Sequence, residues 1–156
     1  MDEKALQLLI DERAIEQTIY RYYERIDAND PPGAVACFME DAVGKWPWGE
    51  FRGRKAISEM VTKILNTFST TSHHLSNISI SRQDNTATLF SYVYTFHRMV
   101  DSGEPMHFWG RIIIRSVKTK EGWLFAEYEA IGVGSIEPDG ADRKRNWPGH
   151  PGRLTR

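Results

Sequence analysis

A chain of 156 residues, 40% hydrophobic and 26% charged, fits one soluble domain with a core of its own. Its formal net charge of −1 argues against the basic footprint of a nucleic-acid binder, and its single cysteine excludes an internal disulfide and fits a reducing compartment. No apolar run approaches the ~20 residues that span a bilayer, and Met1-Asp2-Glu3-Lys4 lacks the basic-then-apolar order of a signal peptide, so a cytoplasmic protein without membrane or nucleic-acid partners is expected.

The first element is a helix over about 2–29. Leu8, Ile15, Ile19, Tyr22 and Ile26 recur at the spacing of one buried face. Tyr23 and Asp27 lie four apart at the edge of that stripe. Asp27 falls in the last turn, where the helix dipole disfavours a carboxylate, which invites a functional explanation beside that of a solvated helix end. Asp30-Pro31-Pro32 reads as an N-cap followed by proline at the first helical position, opening a short second helix to about Met39. Cys37 lies within the apolar run 34–39 and reads as core rather than as a nucleophile. Residues 42–46 suit a short strand broken by Pro47 and Gly49. Trp46 and Trp48 are too large to expose cheaply, and either line a pocket or cover a sheet edge. A third helix over about 54–68 buries Ile57, Met60, Val61, Ile64 and Phe68 on one face.

Beyond residue 70 the pattern becomes one of strands. They are expected over about 73–82, 86–99, 106–117 and 123–131, separated by Asp84-Asn85, Asp101-Ser102-Gly103 and Lys120-Glu121-Gly122. Connections this short suit an antiparallel meander. In the second of these strands Ala87, Leu89, Ser91, Val93, Thr95 and His97 share a face. From Gly132 the regular pattern dissolves. The chain therefore divides into a domain over 1–132 and an extended arm over 133–156, in which Trp147 and the cationic Arg143-Lys144-Arg145 favour docking over the pocket mouth or onto a neighbouring subunit. Three helices followed by a meander give an α+β fold, with a twisted sheet curling around the first helix and enclosing an apolar cavity.

The adjacent His73 and His74 open the first of the late strands, so one faces inward and the other outward. His73 shares a face with Leu75 and Asn77, His74 with Ser76, Ile78 and Ile80. If the two isoleucines line the cavity, His74 is the inward residue, unless a bulge shifts the register. The five histidines show no zinc-ligand spacing, no glycine-rich phosphate loop is present, and no nucleophile elbow surrounds a serine. No metal or other cofactor is expected.

Several segments in order carry a family resemblance. They are Ile19-Tyr20-Arg21-Tyr22-Tyr23 through Asp27 and Asp30, Cys37-Phe38-Met39-Glu40-Asp41-Ala42, Phe51-Arg52-Gly53-Arg54-Lys55-Ala56-Ile57, Thr71-Ser72-His73-His74-Leu75-Ser76-Asn77 and Trp123-Leu124-Phe125-Ala126. Over roughly residues 10–130 the chain resembles the SnoaL-like domains of the nuclear transport factor 2-like superfamily, and within it the scytalone dehydratases and bile-acid 7α-dehydratases. The resemblance implies a cone-shaped, curved antiparallel or mixed sheet wrapped around the long N-terminal helix, with two further helices. It places a catalytic Asp at Asp27, a His at His73, a tyrosine at Tyr22 or Tyr23, and a second pocket histidine at His97. The polar Ser and Asn that scytalone dehydratases carry on the third strand have no counterpart here, where Gly110 to Ile112 stand.

Cofactor-free acid–base chemistry follows. The expected activity is a dehydratase-, isomerase- or cyclase-type reaction on a small, flat apolar or polycyclic substrate. Asp27 and His73 form the working pair, with Tyr23 and His97 beside them. Tyr22, Trp46, Trp48, Asn77, Phe108 and Trp109 are the expected substrate contacts. The alternative is a non-catalytic ligand-binding or assembly subunit, and a homodimer or homotrimer is expected in either case.

Overall fold

The computed structural model describes residues 2–137 and 142–143. Helix α1 spans Glu3–Asp27. It starts where Asp2 accepts a hydrogen bond from the Ala5 amide at 2.8 Å, the usual N-cap arrangement. It stops because Asn29 takes a positive φ of 53° and the amides of Ala28, Asn29 and Asp30 close back on Glu24, Ile26 and Arg25. A short polar residue tolerates that left-handed conformation. The stop leaves Asp27 as the last helical residue. Helix α2, Pro31–Val35, is capped by Asp30, which accepts from the Gly33 amide at 3.0 Å.

Strand β1 is Phe38–Trp46 and β2 is Gly49–Arg52. This corrects the expected helix through Met39. Phe38 pairs with Phe125, and the Phe125 amide donates to the Cys37 carbonyl at 2.8 Å. A sheet partner distant in sequence thus overrides a locally helical apolar run. The Pro47-Trp48 break is the loop of a tight hairpin, with Trp46 opposite Gly49. Gly53, at φ +82°, turns the chain where a side chain would be strained and opens α3, Arg54–Leu65.

Strands β3 (Phe68–Gln83), β4 (Thr86–Met99), β5 (Pro105–Thr119) and β6 (Gly122–Ile136) follow. They form the expected meander, and β1 then joins β6 in parallel, so the sheet is mixed, with order β2-β1-β6-β5-β4-β3. A two-residue β7, Asp142–Arg143, pairs with the end of β6. Residues 133–136 of the expected arm continue β6, whereas Lys144, Arg145, Trp147 and the rest of the arm beyond residue 143 lie outside the described residues.

Helix α1 lies against the inner face of this curved, open sheet. Ile15, Ile19, Phe38, Ile57, Leu89, Ile112, Ile114 and Phe125 are fully buried in the core between them. The β4 face read from alternation is the inner one, since Ala87, Leu89, Ser91, Val93, Thr95 and His97 are all buried. Cys37 is buried as well. Burial raises its thiol pKa despite the nearby Arg21, which suppresses the reactive thiolate.

Candidate active site

The deciding local feature is a bulge in β3. The pairing of β3 with β4 shifts between Ser76 and Ser79, and Asn77 sits at φ +54°. One extra residue changes the parity of a strand. Before the bulge His73 and Leu75 face inward, and beyond it Ile78 and Ile80 do, with Leu75, Ile78 and Ile80 packed on the core. The two parity arguments, which competed in the sequence, are therefore both satisfied. His73 lines the cavity, whereas His74 is exposed and hydrogen-bonds Ser72 at 3.1 Å.

The end of α1 meets β3 at this point. Asp27 Oδ1 lies 2.6 Å from His73 Nδ1, and the His73 amide donates to Asp27 Oδ2 at 2.9 Å. Both carboxylate oxygens are thus committed to one residue. Because an ionised carboxylate only accepts, Nδ1 carries the proton and Nε2 is the nitrogen left for chemistry.

A cavity of about 160 Å³ lies beside this pair. Tyr23 contributes to its wall, with its ring 4.7 Å from that of His73 and its hydroxyl 2.8 Å from the hydroxyl of Tyr128. Burial raises the pKa of the Tyr22, Tyr23 and Tyr128 phenols well above their ordinary value, so all three are neutral donors or acceptors. Tyr22 reaches the cavity but is mostly core, packed edge-on against Phe38 and Phe125. Trp46, Trp48 and Phe108 also line it. Trp46 leans on Tyr128 with ring centres 5.0 Å apart, and Trp48, half exposed, stands at the mouth.

Two expected substrate contacts lie elsewhere. Asn77 is exposed at the bulge, where its conformation rather than its amide is used. Trp109 points to the outer face of the sheet, 41% exposed, and packs beside Tyr94 and His107. Strand β5 alternates, and Phe108 takes the inward position next to it. Tyr128 and Thr95 are polar lining residues that the sequence did not single out. The signal of Tyr128 was weak, a tyrosine between two glutamates in β6, and Tyr23 of α1, which completes its hydrogen bond, is remote in sequence.

His97 completes the polar corner. Its ring stacks on Phe68 at 4.1 Å and stands edge-on to His73 at 5.5 Å. Its pKa is lowered to about 4, first by burial and then by the charge of His73, with Asp27 opposing. It is therefore neutral at pH 7. An unfolded histidine titrates near 6.5, so the unfolded chain binds this proton more tightly than the folded one. The corresponding stability is complete above about pH 6.5 and is lost as pH falls towards 4, by about 3 kcal/mol in all. Urea midpoints measured from pH 7 to 4 should fall more steeply in the native protein than in His97→Gln. Parallel curves would mean that His97 takes up its proton without penalty.

Among the described residues no three His, Cys, Asp or Glu side chains are grouped as metal ligands, and no helix is long and apolar enough to cross a membrane.

The profile of the SnoaL-like domain matches residues 7–129. No curated protein is similar enough to match. Among solved structures, a Novosphingobium aromaticivorans protein provisionally named a scytalone dehydratase is 28% identical, with a TM-score of 0.80 over 93% of this chain and 95% of that one. A nuclear transport factor 2-like superfamily protein from Salmonella enterica is 24% identical, with a TM-score of 0.76 over 80% and 92%. A hexachlorocyclohexane dehydrochlorinase is 12% identical, with a TM-score of 0.78 over 95% and 99%. The last two likenesses concern the fold alone.

Proposed function

The chain belongs to the SnoaL-like domain family of the nuclear transport factor 2-like superfamily, and we propose that within it the protein is a cofactor-independent lyase or isomerase acting on a small, flat, mostly apolar ring substrate. The observation that carries this reading is the Asp27–His73 contact, with His73 at the wall of an apolar cavity and Asp27 behind it, partly exposed. Asp27 fixes the tautomer of His73 and leaves Nε2 as the free ring nitrogen. Nε2 removes a proton from the carbon next to a substrate carbonyl, and its electron pair moves onto the carbonyl oxygen. Tyr23 or His97 donates a hydrogen bond to the oxygen that gains charge. In a dehydration the enolate then expels the β-hydroxyl, which leaves as water with the proton that His73 carried. In an isomerisation the same proton returns to a different carbon.

The 28% identical relative provisionally named a dehydratase supports this class. A second reading, a non-catalytic binding or assembly subunit, draws on Tyr92 and Trp109, 43% and 41% exposed on the outer sheet face.

A panel of β-hydroxyketones on one- and two-ring frames separates the readings. At least one member should be converted to its conjugated enone, seen as a new ultraviolet band, at a rate that EDTA does not change. Ketones that bind in the cavity yet are never turned over would leave the second reading standing.

A further inference from the structure

Two polar atoms in the cavity wall have no protein partner. Thr95 Oγ1 and His97 Nδ1 are both buried without a hydrogen bond, and both residues line the cavity. The two residues are neighbours on the inner face of β4, with Cβ atoms about 6.5–7 Å apart along the strand. One oxygen atom hydrogen-bonded to both reaches polar atoms up to about 6 Å apart, so sharing it requires the two side chains to lean towards each other. Thr95 is also the direct cross-strand partner of His73, which brings their Cβ atoms within about 5.5 Å. An oxygen held at Thr95 is therefore beside the imidazole that would take the proton.

The charge around this corner limits what the oxygen belongs to. Among the described residues no lysine or arginine lines the cavity. His73 is already matched by Asp27, and His97 is neutral at pH 7. A carboxylate entering here would lose its water and gain no counter-charge, which is strongly unfavourable. A hydrocarbon would leave both polar atoms unpaired. An uncharged carbonyl or hydroxyl pairs them without bringing charge. The cavity volume of about 160 Å³ encloses about one aromatic ring, so a second ring would extend past Trp48 into the mouth.

We propose that Thr95 is a specificity-determining residue whose hydroxyl, together with Nδ1 of His97, holds the single oxygen of an uncharged cyclic ketone or alcohol against His73. The inference rests on the reading of this cavity as a substrate site and deepens it by naming the ligand class and the residue that selects it.

The test is a set of dissociation constants on the intact protein, with acetophenone, ethylbenzene and benzoate as probes, read by tryptophan fluorescence and checked by calorimetry. The native protein should bind acetophenone and bind benzoate at least about tenfold more weakly. Thr95→Val keeps the shape and β-branching while removing the hydroxyl. It should shift the ratio of acetophenone to ethylbenzene affinity by about five- to tenfold against the ketone. Thr95→Ser, which keeps the hydroxyl, should restore the native ratio. An unchanged ratio in Thr95→Val means that a resident water alone satisfies the hydroxyl, and the proposal falls. Benzoate binding as tightly as acetophenone overturns it as well, using only the native protein, so the proposal remains exposed even if the valine variant does not fold. Because these are binding ratios, a protein that binds the ketone as expected but turns nothing over refutes the lyase or isomerase reading and leaves the role of Thr95 intact.

Discussion

Asp27→Asn should lower kcat/KM by about 10²–10⁴-fold, the scale on which acid–base catalysis is lost, while the melting temperature stays close to native. The carboxylate accepts from both the amide and Nδ1 of His73, at 2.9 and 2.6 Å. An asparagine can still accept from the amide. Its NH2 group then faces Nδ1, which favours the wrong imidazole tautomer and puts the proton on Nε2, where the base is needed. His73→Ala should lose a similar factor by removing the base itself. The double variant should be little worse than either single one, because the two residues act as a unit. Assays on an enone-forming substrate decide the matter, and native turnover in Asp27→Asn would end the assignment of this pair.

The second large effect lies at the other end of α1. Asp11 is buried at 2% exposure, and its carboxylate accepts from Lys118 at 2.8 Å, from the Trp123 indole at 3.2 Å, and from Arg82. One helix residue thereby ties α1 to β3, β5 and β6. Asp11→Ala removes the acceptor that these donors share. Breaking a buried pair costs about 3–5 kcal/mol. Arg82 and Lys118 are 18% and 38% exposed and partly rehydrate, so a loss of about 2–4 kcal/mol is expected. In a domain of this size that lowers Tm by roughly 5–15 °C. Burial pushes the Asp11 carboxyl up, but hydrogen bonds from Lys118 and Trp123 and the charges of Lys118 and Arg82 outweigh it, and its pKa lies below the ordinary value. With the folded value below the unfolded one, the stabilisation is complete above about pH 4 and is lost as pH falls through the folded value. Thermal melts of Asp11→Ala and Asp11→Asn between pH 7 and 3 measure both effects. A variant that melts with the native protein would reduce the cluster to a surface ornament of α1.

Much of this site could be read from periodicity. The α1 stripe places Tyr22 and Tyr23 inward with Asp27 at the helix end, and alternation puts Thr95 and His97 on one face of β4. Neither needs knowledge of the partners. Asp11 is the counterexample, since it lies four before Ile15 on the same stripe, and a carboxylate in that position signals a buried ion pair that the reading passed over. The orientation of His73 was only half legible. The sequence shows that one histidine faces inward, but not where a strand takes an extra residue. Asn77 tolerates a positive φ without demanding one. The start of strand β1 was obscured for another reason. Its pairing with β6 is a contact between segments far apart in the chain, and nothing local in Cys37-Phe38-Met39 opposes a helix. Trp109 illustrates the limit of composition, because an aromatic residue beside the cavity in sequence can face either way, and strand parity decides.

The parallel junction of β1 with β6 also orders the events of folding. Each hairpin of the β3–β6 meander joins neighbours in sequence and closes a short loop. The α1–β2 region instead has its sheet partner on the last long strand. Non-local pairing must meet its loop-closure entropy before any contact repays it. The meander should therefore assemble first and the N-terminal third dock onto it late. Since Asp27 comes from that third and His73 from the meander, the two side chains of this hydrogen-bonded pair should meet only late in folding, and a partly folded chain would hold the imidazole without its carboxylate.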